Sequence, residues 1–254
     1  VCAAKDADRS RRNWAKALFK AALPTVEAFT SPRAWAFTLL ALDAYCPSAA
    51  DDVSANRLRA VLADRLMTAL AVKRAGGWVW FEDVLAYDNA RLPQALIQTA
   101  ATTGNTRYAV AGLRSLRWLM SQQTAPSGHF RPVGSDSFGH RNRAPEPFDQ
   151  QPVEAAATIS ACLAAAHVDK HSDWGRTAMT AFDWFLGKND LQVALVNPAT
   201  GACMDGLHPD RPNENRGAES VVSYLLALVE MRRHAETGAN FDRVQRPLSV
   251  ALSA

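Results

Sequence analysis

Carboxylates, amides and aromatic rings gather at three places in this chain. The first stretch reads Gly76-Gly77-Trp78-Val79-Trp80-Phe81-Glu82-Asp83 and continues to Tyr87-Asp88-Asn89, just before Ala90-Arg91-Leu92-Pro93. The second runs from Ser127-Gly128-His129-Phe130-Arg131 to Phe148-Asp149-Gln150-Gln151-Pro152-Val153-Glu154. The third holds Asp205, His208, Asp210, Asn213, Glu214, Asn215 and Glu219. Flat ring faces beside such groups suit a sugar, whose C–H face stacks on a ring while its hydroxyls need directional partners. Paired carboxylates are what glycoside hydrolysis requires. One is protonated and one ionised, about 5–5.5 Å apart for retention and about 6.5–9.5 Å for inversion.

Glu82, Asp83, Asp88, Asp149 and Glu219 are the candidate acid/base groups, and Trp78, Trp80 and Phe81 the candidate stacking wall. Tyr87, Asn89, Arg91, His129, Arg131, Gln150, Gln151, His208, Asn213 and Asn215 are the candidate substrate contacts. A carboxyl beside Trp80 and Phe81 has its pKa raised by burial, whereas one among amides stays ionised, so Glu82 or Asp83 is the expected acid and Asp149 the base. Each residue also has a plainer reading. The three rings suit the end of a hydrophobic core equally well, and Asp88, Asn89 or Asp149 could cap the helix that follows, worth about 0.5–2 kcal/mol. A cap does not account for Gln150, Gln151 and Glu154 standing next to Asp149.

Other chemistries lack their signatures. His129 and His140 fit no HExxH spacing, and Asn213, Asn215 and Glu219 do not follow the EF-hand order, so neither a metal nor another cofactor is expected. No GxSxG, Walker or GxGxxG sequence occurs. Cys2, Cys46, Cys162 and Cys203 form no CxxC pair, which argues against zinc and a disulfide framework. With 28 basic and 25 acidic residues scattered along the chain, the net charge of +3 gives no nucleic-acid footprint. The apolar run from Ala155 to Val168 is too short and too interrupted for a membrane span. No apolar stretch follows the charged N-terminus as a secretory signal would, so a cytoplasmic location is the default expectation; a chain opening on Val1 rather than Met also reads as a processed or excised piece.

The elements that must position these groups are helices. Apolar residues recur at three- and four-residue spacing, as in Leu58, Val61, Leu62, Leu66 and Leu70. Punctuation by Pro, Gly, Asn and Asp gives about eight helices, near 8–22, 32–46, 52–74, 90–103, 106–124, 151–168, 172–187 and 218–235. The expected class is all-α, an α/α-hairpin array over 1–236 with a tail at 237–254, and strands only as short hairpins in loops. Short connections alternate with long ones near 75–89, 125–150 and 188–217, so the long loops and the 23–31 segment fall on one face if helices run up and down. Long loops converging at one end are the default place for a site.

Four motifs carry a family resemblance. They are Ser31-Pro32-Arg33-Ala34-Trp35-Ala36-Phe37; Trp80-Phe81-Glu82-Asp83 with Tyr87-Asp88-Asn89-Ala90-Arg91-Leu92-Pro93; Phe148-Asp149-Gln150-Gln151-Pro152; and Asn213-Glu214-Asn215-Arg216-Gly217-Ala218-Glu219. Spread over roughly residues 25 to 235, they resemble the helical, mannosyltransferase-like C-terminal region of many bacterial glycosyltransferases. That region is similar in turn to the α/α toroids of six-hairpin glycosidases and sugar epimerases. The resemblance implies a carbohydrate-active domain that acts on or grips an oligosaccharide at the long-loop face. A non-catalytic glycan- or partner-binding module is the alternative, and an epimerase or isomerase using His129, His140 or His208 a third. This chain has no nucleotide-sugar-binding domains, and its eight helices make four hairpins rather than six. An arc left open exposes apolar helix flanks, which implies self-association or association with a glycosyltransferase domain.

Overall fold

The computed structural model describes residues 2–72, 77–136, 138–141, 143 and 145–237. Gly76, the end of the helix expected to reach 74, and the expected tail beyond Thr237 lie outside the described residues. The class is all-α, as the periodicity implies. Nine α-helices occur among the described residues: α1 (Cys2–Lys5), α2 (Arg9–Val26), α3 (Pro32–Tyr45), α4 (Val53–Val72), α5 (Arg91–Thr103), α6 (Thr106–Gln122), α7 (Pro152–Val168), α8 (Trp174–Asp183) and α9 (Ala218–Thr237). The strands are two residues long: β1 (Val84–Leu85) pairs antiparallel with β2 (Gly139–His140), and β3 (Gly206–Leu207) with β4 (Pro212–Asn213).

Local chemistry explains most helix boundaries. Asp8 caps α2 by accepting from the amides of Ser10 and Arg11, and Asp173 caps α8 through Arg176 N–H. Proline begins α3 and α7, where its missing N–H has no intrahelical partner to lose. Two ends differ from expectation. Helix α2 runs past residue 22 through Pro24 to Val26, because a proline so near the end disturbs only the last turn. Helix α8 stops at Asp183 rather than 187, since Phe185, Leu186 and Gly187 donate to carbonyls three residues back and tighten into turns.

The chain divides into two compact units, Val1–Glu82 with Arg91–Ser115, and Asp83–Ala90 with Leu116–Ala254. In the first, α3 packs on α4 and α5. Leu39 and Leu42, then Leu58, Leu62 and Leu66, then Leu92, Leu96 and Ile97 present buried stripes at helical spacing. The buried Asp43 carboxylate accepts from Thr99 (2.7 Å) and Thr102 (2.9 Å), so this polar group does not go unmatched in the core. In the second unit α7 is buried along nearly its whole length and packs on α8 and α9. Phe182, Phe185 and Tyr224 stack beside it, with Phe185 and Tyr224 centroids 5.4 Å apart. Among the described residues no helix is long and apolar enough to cross a membrane.

Candidate functional site

The three long loops meet in the second unit through backbone hydrogen bonds. The β1–β2 pair ties residues 83–85 to 139–141, with Arg141 N–H donating to Asp83 O at 3.1 Å. Gln150 and Leu207 exchange both backbone bonds at 3.0 Å, joining the second loop to the third. Asn89 donates to Glu154 Oε2 from its side-chain amide (3.0 Å) and its backbone (3.3 Å), anchoring the first loop to the first turn of α7.

The segment Phe148–Gln151 is the centre of this cluster, and two glycines let other backbone reach it. A Cβ on Gly134 would lie 2.1 Å from Phe148 O, and one on Gly206 2.0 Å from Gln150 O. No side chain fits at either place, so the Gly-rich punctuation serves backbone contact rather than a turn alone. Because successive residues of an extended segment face opposite ways, Gln150 points inward while Asp149 and Gln151 flank it.

Gln150 is fully buried and completely bonded. Its amide nitrogen donates to Pro147 O (2.8 Å) and Asp190 Oδ2 (2.6 Å), and its Oε1 accepts from Trp184 Nε1 (2.8 Å). Asp190 also takes two bonds from Arg131 Nε (2.9 and 3.0 Å) and contacts His129 Nε2 at 3.2 Å. Burial alone would raise the Asp190 carboxyl, but hydrogen bonds from Arg131 and Gln150 outweigh it and hold its pKa below the usual value. His129, Arg131 and Gln150, expected as substrate contacts, therefore form a structural hub around Asp190.

Asp149 is placed differently. Its Oδ1 is buried without a hydrogen-bond partner among the described residues, and His208 Nδ1 lies 3.5 Å from it. Burial raises the Asp149 carboxyl above its ordinary value, the nearby Asp136 charge adds to the rise, and His208 and Gln151 oppose it. Gln151 Nε2 reaches Ser135 Oγ at 3.4 Å, and Ser135 N–H donates to Asp149 O at 2.8 Å. Asp149, Gln151, Ser135, Asp136 and His208 thus make a group of polar side chains that the hub holds in place without engaging.

The other expected residues lie elsewhere. Glu82 pairs with the buried Arg33 at 2.6 Å in the first unit; burial raises its carboxyl, and the guanidinium opposes the shift. Trp80 and Phe81 are core rings, 0% and 2% exposed and packed edge to face, and Trp78 donates to Glu82 O. A ring with no exposed face cannot stack on a sugar, which corrects the expected wall of Trp78, Trp80 and Phe81 in favour of the core reading. Arg91 bonds Gln94 on α5. In the second unit Asp88 is buried in the left-handed backbone region (φ 49°), Asn89 is buried on Glu154, and Asp83 and Tyr87 are exposed. Asn213 Oδ1 accepts from Asn215 N–H, while the carbonyls of both accept from Asp205 N–H. Glu219 is exposed on α9. Sequence reasoning missed Asp190, Trp184, Arg33 and Asp136. Asp190, at the start of the third long loop, follows a Lys-Asn pair with no motif around it, and only Arg33 stood inside a recognisable pattern.

No family model and no curated protein matches this chain. Solved structures do. The chain is similar to the α-1,6-mannanase GH76A from Salegentibacter sp. HEL1_6, with a TM-score of 0.57, 15% identity, and coverage of 87% of this chain and 60% of that one. It is also similar to an inactive variant of that mannanase, altered at two aspartates, in complex with α-1,6-mannotetrose (TM-score 0.59, 14% identity, 89% and 61% coverage). A further inactive variant, in complex with α-1,6-mannotriose, gives a TM-score of 0.54 at 16% identity, with 87% and 60% coverage. The chain spans about 60% of the length of these structures, and the likeness is one of fold: the α/α-hairpin architecture of the α/α toroids.

Proposed function

We propose that this chain is a carbohydrate-active α/α domain that takes a mannose-containing oligosaccharide at the loop cluster of its second unit and cleaves a glycosidic bond there. The observation that carries the reading is Asp149. It is a carboxyl with its pKa raised by burial and an Oδ1 that accepts no hydrogen bond among the described residues, 3.5 Å from a histidine and close enough to the Asp136 carboxylate to feel its charge. The fold shared with α-1,6-mannanases supports a sugar as the ligand class.

The roles follow from the environments. Asp149, protonated more readily than an ordinary aspartate, donates its proton to the leaving glycosidic oxygen as the C–O bond breaks. The exposed Asp136 takes a proton from the water that attacks the anomeric carbon. Gln151, Ser135 and His208 supply donors and acceptors for sugar hydroxyls. Relative to the sequence expectation Asp149 changes from base to acid and Asp136 takes the part of the base, because Glu82 is engaged by Arg33 and Asp149 is more buried than Asp136. The association with a glycosyltransferase rests on the four motifs that resemble its C-terminal region. It is the second reading.

Calorimetry with α-1,6-mannotetraose, followed by chromatography of the same samples, tests the proposal. The expected result is binding with product, and with Asp149→Asn binding that persists while turnover falls about 10²–10⁴-fold. Binding without product supports the accessory module, and no binding of α-mannan, glucan or xylan oligosaccharides overturns the carbohydrate reading.

A further inference from the structure

Helix α9 carries an apolar stripe on its outer face. Val222 (52% exposed), Leu225 (43%), Leu226 (55%) and Val229 (42%) lie at the i, i+3, i+4, i+7 spacing of one helix face. The inner face of the same helix is already used: Tyr224, Ala227, Leu228 and Met231 are buried. The stripe therefore has no part in packing the unit to which α9 belongs, as far as the described residues show. Four contiguous large aliphatic side chains make a patch of roughly 300 Å², a size that on single-chain proteins is often functional.

The order of residues along the stripe identifies its occupant. Reading outward from the midpoint between Leu225 and Leu226, Val222 and Val229 are equidistant, and so are Glu219 and Arg232. All six are exposed. A second α9 laid antiparallel on the first, about a two-fold axis through that midpoint, puts valine level with valine and leucine level with leucine. It also brings Glu219 of each copy level with the basic end of the other helix at Arg232. A parallel arrangement would instead set Glu219 against Glu219 and Arg232 against Arg232. A face that is complementary to itself under a two-fold operation is the requirement of an isologous dimer, and the charges choose the antiparallel sense.

We propose that α9 is a homodimerisation surface, joining two copies of this chain through antiparallel packing of their Val222-Leu225-Leu226-Val229 stripes. The patch is small beside the roughly 800 Å² per partner of a standard stable interface, so the dimer is in exchange with monomer rather than permanent.

Sedimentation velocity of the full chain over a concentration series tests this. The expected result for wild type is a sedimentation coefficient that climbs from the monomer toward the dimer value. Leu226→Glu, on the outer face and outside the core, weakens association about tenfold or more while circular dichroism stays unchanged. Glu219→Arg alone weakens association by repulsion, and the double exchange Glu219→Arg with Arg232→Glu recovers it. Wild type that is monomeric at every concentration overturns the proposal and assigns the stripe to another segment or another protein. A dimer indifferent to Leu226→Glu overturns it by placing the interface elsewhere, and a double exchange no better than the single one overturns the antiparallel pairing.

Discussion

Replacing Gly206 by alanine is the sharpest probe of how the loop cluster is held. The added Cβ would sit 2.0 Å from Gln150 O, well inside the ordinary contact distance, and at φ 151° the backbone is one that side-chain-bearing residues rarely adopt. The third loop must then withdraw by more than an ångström, which breaks both Gln150–Leu207 backbone bonds, each 3.0 Å in the native fold. Two neutral hydrogen bonds at about 0.5–1.5 kcal/mol each, with about 1–3 kcal/mol of backbone strain, predict a loss of about 2–6 kcal/mol. Urea unfolding followed by tryptophan fluorescence reads it directly, because Trp184 donates to Gln150 and reports on the same cluster. The displacement also moves His208, which follows Leu207, away from Asp149, so oligosaccharide binding should fall with stability. A destabilisation below about 1 kcal/mol with unchanged binding would refute the view that backbone contact at Gly206 positions Asp149.

Further outcomes follow from the same geometry. Asp190→Ala strips the hub of its acceptor and should cost about 2–3 kcal/mol, less than the loss typical of a fully buried pair because Arg131 is one-third exposed; chemical denaturation measures it, and Asp190→Asn should recover part. The Asp149 carboxyl is raised in the folded state, so ionising it costs stability as pH rises above the usual aspartate range of about 4. Asp149→Asn is accordingly expected to raise the melting temperature at neutral pH, with the advantage vanishing below that range in a series of thermal scans. Cys46, Cys162 and Cys203 are buried, and burial pushes the Cys203 thiol up to about 12, so mass spectrometry after alkylation should find all three unmodified until the protein is unfolded.

Helix positions were legible because their causes are local. The stripes through Leu58, Leu62 and Leu66, the caps at Asp8 and Asp173, and the prolines at 32 and 152 each act within a few residues. The meeting of the three long loops followed from counting connections. The division of labour inside them did not, because it depends on partners far apart in sequence. Gln150 and Gln151 look interchangeable on paper, yet one is sealed on Asp190 and Trp184 while the other faces Ser135 and Asp149. Trp80 and Phe81 showed a similar limit. An amphipathic loop composition fits a wall or a core equally, and only burial separates them.

The bonds that converge on Gln150 also have a meaning for how the molecule assembles. They span 34 residues to Trp184 and 40 to Asp190, and Arg131 reaches Asp190 across 59. Each requires a long loop to be closed before any contact rewards it, whereas the hairpin of α7 and α8 forms from neighbours. The helices are thus expected to collapse first and the loop cluster to lock last, as a step that depends on the α8 end being in place. Once locked, the amides of Gln150 and Leu207 should exchange with solvent as slowly as those of a buried helix, although both belong to connecting loops.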